Sequence, residues 1–191
     1  MLHAAAAPRA PDAMDIDIRA IDPQHEPLAP LYELVRDVYT TSDQMSETFA
    51  EKFPAPAALA AEIDDVCGRP GAVFLVATAG GRLQGYVALK PRRPERLRHT
   101  ADLQLGVRSG ARGQRIGSAL LRAALDRAAH SGVVELVYLM VRADNLPAIR
   151  LYASTGFDRL ATLQRDLRID GRDCDGVLMR RFVGLPAAAG R

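Results

Sequence analysis

The chain has 191 residues, which is enough for one domain with a substantial core and too few for two ordinary domains. With 25 basic and 23 acidic residues, its net charge of +2 gives no argument for a nucleic-acid partner. No stretch predicts a membrane span, and the only cysteines, Cys67 and Cys174, match neither a metal-ligand spacing nor a disulfide framework. We therefore expect a globular protein without a metal, in a reducing, cytoplasmic setting.

The two ends are predicted to lie outside the folded domain. Residues 1–13 are rich in alanine and proline and lack the apolar segment of a signal peptide, so we expect a disordered tail. Met14 directly precedes the first patterned segment and is a candidate for the natural start. Residues 184–191 are predicted to form a second flexible tail, which leaves one domain over 14–183.

In chain order, the first half predicts one strand, two helices and a hairpin. Residues 14–20 alternate apolar and polar, which is typical of a strand. Apolar residues recur at helical spacing from Glu26 to Tyr39, and a second helix is predicted from Pro54 to Cys67. Strands over 72–79 and 83–90 are joined by Ala-Gly-Gly-Arg, which is a favourable hairpin turn.

The second half alternates strands with helices before a closing hairpin. The predicted elements are a strand over 100–107, a helix over 115–130, a strand over 134–141, a helix over 145–154, and strands over 158–168 and 173–182. The strand–helix–strand unit from 100 to 141 requires a parallel pair with a right-handed crossover. We therefore predict an α/β fold with a mixed, mostly antiparallel central sheet of about seven strands flanked by about four helices.

The most informative stretch is LQLGVRSGARGQRIGSALL, over residues 103–121. An apolar strand leads into a turn rich in glycine and arginine, and a helix opens directly from that turn. The unpaired N–H groups and positive dipole of a helix N-terminus can bind an anion. Three glycines allow a close backbone approach and three arginines add positive charge; these are Gly110, Gly113, Gly117, Arg108, Arg112 and Arg115. The stretch therefore predicts a phosphate-binding loop.

Two common phosphate loops do not match it. A P-loop ends in Gly-Lys-Ser/Thr, and this combination occurs nowhere in the chain. The dinucleotide fingerprint G-x-G-x-x-G has a different spacing from these glycines. A nucleotide-binding α/β protein nevertheless stays open as an alternative, and it predicts stabilisation by ATP or NAD.

Residues 112–117 (RGQRIG), after a strand that ends at Val107, resemble the coenzyme A pyrophosphate loop of the GNAT superfamily of N-acetyltransferases. The family pattern is Gln/Arg, two residues, Gly, one residue, then Gly/Ala. Arg112 and Gly117 match it, whereas Arg115 stands where the family has its first glycine. We expect Arg115 to adopt ordinary helical geometry and point outward, since the backbone amides do the binding.

A second resemblance follows one strand later, in residues 145–157 (NLPAIRLYASTGF). It is similar to the second GNAT motif at Asn145, Ala148, Ile149, Tyr152, Gly156 and Phe157. Asn145 and Tyr152 are thereby implied to contact the pantetheine arm and the thioester sulfur. The alternative is an amphipathic helix with a core tyrosine. Two motifs in the right order favour the functional interpretation.

The resemblance covers about residues 14–183 and implies the GNAT fold. It also implies direct transfer of an acetyl group from acetyl-CoA to a primary amine in a ternary complex. A strand that diverges from its neighbour near Leu105 would leave backbone amides available to this co-substrate. The residues expected to bind it are Leu105, Gly106, Val107, Arg112, Gly113, Gln114, Arg115, Ile116, Gly117, Ser118, Asn145 and Ala148.

Acetyl transfer needs a neutral amine, and the departing thiolate benefits from a proton. Tyr152, with a reference pKa of about 10, is the candidate acid. Asp102 lies where several GNAT enzymes carry a base-like glutamate, but it is a weak base unless burial or a water relay helps. His99 is the rival base, because imidazole titrates near neutrality. Either residue could instead be structural.

The sequence around His99 and Asp102 and the segment 170–179 resemble small bacterial GNAT enzymes that acetylate amino acids or similar amines. A peptide N-terminus as acceptor, and a catalytically inactive CoA-binding module with a regulatory role, remain alternatives. Family habit implies a homodimer through the last strands. The residues expected to line the acceptor site are Tyr39, Asp43, Met45 and Asp173, and Arg142 and Arg150 are candidates for contact with the 3′-phosphate.

Overall fold

A computed structural model of the chain describes residues 15–184, so Met14 and the tails predicted over 1–13 and 184–191 lie outside it, apart from Gly184. Its first half contains β1 (Asp17–Ala20), α1 (Leu28–Thr40), α2 (Phe49–Lys52), α3 (Pro56–Cys67), β2 (Val73–Ala79) and β3 (Arg82–Pro91). Its second half contains β4 (Thr100–Val107), α4 (Ile116–Ser131), β5 (Leu136–Arg142), α5 (Leu146–Ser154), β6 (Asp158–Ile169) and β7 (Arg172–Phe182). The predicted elements are confirmed, and α2 is an addition.

The added helix α2 is a single turn that begins at a capping box. The Thr48 hydroxyl accepts a hydrogen bond from the Glu51 backbone N–H at 3.2 Å, and the Glu51 carboxylate accepts one from the Thr48 N–H at 2.8 Å. Four residues are too few for a recognisable hydrophobic period, so only the local capping chemistry indicates this helix. The turn fixes the chain between α1 and α3.

The seven strands form one sheet in the order β1-β2-β3-β4-β5-β7-β6. Within the described residues, β4 and β5 pair in parallel and the other neighbouring strands pair antiparallel. This arrangement confirms the mixed sheet predicted from the strand–helix–strand unit, whose crossover helix is α4.

Two hydrophobic cores cover opposite faces of the sheet. In β2, Leu75 belongs to the core beneath α4 and α5, whereas its neighbour Val76 belongs to the core beneath α1 and α3. This alternation follows from the two-residue period of a strand. Leu120 of α4 and Leu34 of α1 are fully buried in their respective cores. The helices thus pack on both faces of the sheet.

The parallel pair β4–β5 is joined over only part of its length. Pairing runs from Thr100 with Leu136 to Asp102 with Tyr138, although β4 continues to Val107 and β5 to Arg142. Beyond this point the edge of β4 that faces β5 has no strand partner. An unpaired strand edge presents free N–H and C=O groups. The sheet therefore opens between its two parallel strands, as expected for the residues around Leu105.

No helix within residues 15–184 combines the length and the apolar character needed to cross a bilayer.

Candidate active site

The opening between β4 and β5 is the floor of a cleft of about 740 Å³. Its walls come from the turn after β4 and the start of α4, from α5, from the segment between α1 and α2, and from part of β6. Both sequence motifs therefore meet at one site. The unpaired edge of β4 runs between them.

The predicted co-substrate residues lie in this cleft, with one exception. Those that line it are Leu105, Gly106, Val107, Arg112, Gly113, Arg115, Ile116, Gly117, Ser118, Asn145 and Ala148. The exception is Gln114, whose side-chain amide donates a hydrogen bond to the Gly110 carbonyl at 3.3 Å and so braces the turn from outside. The turn between β4 and α4 thus presents its backbone and two arginines to the cleft.

Arg115 does not have the geometry that the sequence predicts. It is the N-cap of α4 and lies in the left-handed region, with φ 63° and ψ 5°. A residue with a Cβ adopts this conformation only at a cost of about 1–2 kcal/mol. The conformation explains why the family pattern has glycine at this position, and the expectation of ordinary helical geometry is wrong.

Substitution of Arg115 by glycine is expected to raise the free energy of unfolding by about 0.5–1 kcal/mol, because the gain in backbone freedom exceeds the entropy that glycine loses on folding. Urea denaturation of both proteins measures this difference. Arg112 is the matched control, since its φ of −66° is ordinary and glycine there should give no gain. If Arg115→Gly had unchanged or lower stability, the left-handed conformation of Arg115 would not be a source of backbone strain.

Tyr152 lies on α5 with its side chain against the cleft and its ring buried. Its exposed fraction is 9%, and the ring packs edge-on against Phe157 at 5.8 Å between centroids. Burial raises the pKa of Tyr152 to about 12, with no charged or hydrogen-bonding neighbour contributing within the described residues. The hydroxyl therefore stays protonated at neutral pH and is available to a ligand.

Asn145 sets the position of the helix that carries Tyr152. It is the N-cap of α5, and its side-chain oxygen accepts a hydrogen bond from the Ala148 N–H at 3.2 Å. Gly156 follows the helix in a left-handed conformation, with φ 85°, as predicted for its C-terminal cap. Both ends of this short helix are thus fixed by local chemistry, which holds Tyr152 against the cleft.

Neither candidate base lies in the cleft. The Asp102 side chain is 54% exposed, and its carboxylate accepts hydrogen bonds from Arg92 at 2.7 and 3.1 Å. Of the two aids that the sequence analysis named for Asp102, burial is therefore absent. His99 lines a separate depression beside the loop that follows β3. The structure does not bring either group together with Tyr152.

The acceptor candidates are divided between the cleft and its surroundings. Tyr39 and Met45 line the cleft, and the Tyr39 hydroxyl accepts a hydrogen bond from Gln104 Nε2 at 2.7 Å. Asp43 instead accepts a hydrogen bond from Arg142 Nη1 at 3.1 Å. Asp173 lies outside the cleft and accepts hydrogen bonds from two arginines of β6. Asp43 and Asp173 therefore lie outside the lining of the cleft and are engaged by arginines.

Arg142 has a structural partner at each side of its guanidinium. It is 7% exposed, and it binds the Asp43 carbonyl at 2.6 Å as well as the Asp144 carboxylate. These contacts tie the α1–α2 segment to the end of β5, so the guanidinium is not free for a phosphate. Arg150 is exposed and does not line the cleft.

Other polar side chains of the cleft were missed by the sequence analysis. They are Ser42, Gln44, Ser46, Glu47, Lys52, Gln104 and Asp166. Alternation along β4 could have found Gln104, which is two residues from Gly106 and shares its face. The others lie between α1 and α2, on the single turn α2 or in the irregular stretch of β6, where no periodic pattern assigns a direction.

Within the part of the chain that the structure describes, no group of three or more His, Cys, Asp or Glu side chains is arranged to hold a metal ion. Cys67 and Cys174 are both free thiols.

A sheet of this strand order, opened between its parallel strands beside a turn rich in glycine and arginine, is typical of the class of GNAT-fold N-acetyltransferases. The chain belongs to the acetyltransferase (GNAT) family, whose sequence profile matches residues 29–157.

The chain is 38% identical over 119 residues to the N-alpha-acetyltransferase RimI of Mycobacterium tuberculosis, covering 60% of this chain and 68% of the relative. It is 27% identical over 150 residues to the L-amino acid N-acetyltransferase AaaT of Escherichia coli, covering 78% and 91%. The structure of yncA from Salmonella typhimurium, solved with its cofactor acetyl-CoA, has the same fold, with a TM-score of 0.77 at 21% identity over 93% of this chain and 98% of that one.

Proposed function

We propose that the protein transfers an acetyl group from acetyl-CoA directly to the primary amine of a small molecule, an amino acid or a related amine, within a ternary complex. The observation that carries this proposal is the single cleft that joins the phosphate-binding turn, the unpaired edge of β4 and Tyr152. A donor and an acceptor that occupy one continuous space can react without a covalent enzyme intermediate.

The turn between β4 and α4 fits the diphosphate of coenzyme A. Arg112 and Arg115 line this end of the cleft, and neither pairs with a carboxylate within residues 15–184. At Gly117, in the first turn of α4, a Cβ would meet nothing nearer than Leu151 at 3.4 Å, so the space beside the turn is open to a ligand. Acetyl-CoA, when bound, supplies the acetyl group activated as a thioester.

Tyr152 is proposed to donate a hydrogen bond to the sulfur as the thiolate departs. Its pKa of about 12 exceeds the reference value of a thiol by roughly 3.5 units. Complete proton transfer to the thiolate would therefore be uphill, whereas a hydrogen bond in a site of low polarity still stabilises the developing charge. The backbone groups of β4 from Leu103 to Val107 would orient the acyl and pantetheine amides.

The positions of the carboxylates indicate which groups could accept the proton that the acceptor amine must lose. The Glu47 and Asp166 side chains line the cleft, whereas the side chain of Asp102 does not. Glu47 already pairs with Lys52 at 2.9 Å. We propose that the acceptor loses its proton to solvent at the open mouth or to a cleft carboxylate, and that neither Asp102 nor His99 is required.

Substitution of Asp102 by asparagine is accordingly expected to change kcat by less than about threefold, since general-base contributions of 10²–10⁴ belong to groups within reach of the reacting atoms. Steady-state kinetics at saturating acetyl-CoA measures this. Arg92→Gln is the matched control, because it breaks the same ion pair and keeps the carboxylate. A loss of a hundredfold in Asp102→Asn, with Arg92→Gln near wild type, would instead make Asp102 the base.

The names of two relatives support an amino group as the acceptor, one an L-amino acid and one an N-alpha position. A screen for CoA release over amino acids, polyamines, aminoglycosides and peptides with free N-termini tests the proposal. We expect turnover with at least one small amine. Turnover with peptides alone would mean that the acceptor is a peptide N-terminus and not a small molecule. Binding of acetyl-CoA without turnover on any amine would favour an inactive CoA-binding module.

A further inference from the structure

The strand β6 leaves its ladder with β7 at one point beside the cleft. Leu163 pairs with Gly176 and Leu167 pairs with Cys174, so three residues of β6 stand opposite one residue of β7. Arg165, within this bulge, has φ 54°, and its N–H donates to Asp175 Oδ1 at 2.9 Å. Bulges redirect side chains and recur next to functional sites. Here the bulge places Asp166 on the wall of the cleft.

Because Gly176 has no side chain, the Asp166 carboxylate can occupy the space beside it. A Cβ at position 176 would lie 2.9 Å from Asp166 Cγ and 3.0 Å from Met140 Sδ. The first distance is shorter than real Cβ contacts, and the second is tighter than most of them. The carboxylate is the end of an exposed side chain, so a larger residue at 176 would shift it from its present position.

Asp166 is unusual among the charged residues of the cleft. Glu47 and Lys52 neutralise each other at 2.9 Å, and Arg142 is bound by the two carboxylates of Asp43 and Asp144. Arg112 and Arg115 belong to the phosphate-binding turn. Within residues 15–184, the Asp166 carboxylate has no hydrogen-bond or ion-pair partner. The part of the cleft away from the turn thus carries one unneutralised negative charge.

A second unsatisfied acceptor atom lies in the same cleft. Gln44 Oε1, from the segment between α1 and α2, is buried without a hydrogen-bond partner among the described residues. The side-chain nitrogen of Gln44 donates to Asp43 Oδ1 at 2.7 Å, which orients the amide. A buried acceptor without a partner is destabilising, and a hydrogen bond from a ligand N–H would remove that cost.

We infer that Asp166 binds the protonated amine of the acceptor as it enters, and that the protein prefers acceptors of net positive charge to acidic ones. This inference rests on the proposed function. The ammonium would pair with the Asp166 carboxylate in a charge-assisted hydrogen bond, while the phosphate-binding turn holds the oppositely charged donor. The two ends of the cleft would thus sort the two substrates by charge.

The test compares Asp166→Asn with wild type on the amines that wild type accepts. We expect KM for a cationic acceptor to rise about tenfold or more, with KM for acetyl-CoA unchanged and the preference over acidic acceptors reduced. Asp170→Asn is the matched control, because it removes the same charge from the exposed turn of the same hairpin. It should leave both KM values unchanged.

Gly176→Ala provides a second variant that keeps the charge and displaces it. We expect the same rise in the acceptor KM, with a thermal melt to confirm the fold. Acceptor KM values within twofold of wild type in Asp166→Asn would overturn the inference and leave the acetyltransferase proposal intact. A wild-type protein that turns over no amine would overturn both.

Discussion

Substitution of Tyr152 by phenylalanine is expected to lower kcat by about a hundredfold and to leave the Kd for acetyl-CoA unchanged. The change removes only the hydroxyl, which has no hydrogen-bonding neighbour in the described residues and lies at the cleft with a pKa of about 12. Loss of one preorganised hydrogen-bond donor to a developing charge costs about 10²–10³ in kcat. Single-turnover kinetics and calorimetry on the same preparation separate the two effects.

Tyr138→Phe is the matched control for this experiment. Tyr138 is on the neighbouring strand β5, outside the cleft, with the Arg92 guanidinium 4.9 Å from its ring. It should retain the kcat of the wild type. If Tyr152→Phe kept full activity, Tyr152 would take no part in the reaction and would be only a packing residue beside Phe157.

Substitution of Gly117 by glutamate is expected to weaken acetyl-CoA binding by about a hundredfold. Its side chain would enter the cleft at the start of α4, where a carboxylate competes with the diphosphate for the same N–H groups. Loss of two charge-assisted hydrogen bonds at about 1.5 kcal/mol each gives this factor. A thermal melt checks the fold of this variant, because the added side chain would also meet Leu151, Val107 and Leu105.

Gly117→Ala separates the effect of charge from the effect of bulk. An added Cβ would lie 3.4 Å from Leu151 and 3.7 Å from Val107, which are ordinary contact distances. We therefore expect its Kd to remain within about threefold of wild type. Equal binding by the glutamate and alanine variants would mean that the diphosphate binds elsewhere.

The sequence predicted the fold closely because its periodic signals and turn residues agree. The helical spacing predicted in α1 corresponds directly to the core on one face of the sheet. The strand–helix–strand unit required the parallel pair, and the family pattern identified the turn before α4. The one-turn helix α2 was missed because its stability comes from a capping box and not from a hydrophobic period.

The site residues predicted from motifs reach the cleft, whereas those predicted from position alone mostly do not. Asn145 and Tyr152 belong to a helix whose two ends are fixed locally, so their spacing determines their direction. Asp102 was selected by its distance from Val107, and the sequence contains no sign of the ion pair with Arg92 that engages it. Asp43 and Asp173 were likewise predicted without knowledge of their arginine partners.

Two features of the site could not be predicted from residue types. Arg115 occupies a left-handed position that glycine normally fills, and only the backbone reveals this. Asp166 lies in a stretch where three residues of β6 oppose one of β7, so the alternation of a regular strand does not assign its side chain a direction. Both depend on backbone irregularities that leave the hydrophobic pattern unchanged.

Calorimetric titration of the wild-type protein with acetyl-CoA is the most direct test of the turn before α4 as the diphosphate site. We predict one molecule bound per chain, with the heat retained in Tyr152→Phe and largely lost in Gly117→Glu. ATP and NAD should give no comparable signal. Absence of heat with acetyl-CoA, or binding that Gly117→Glu leaves unchanged, would contradict the account.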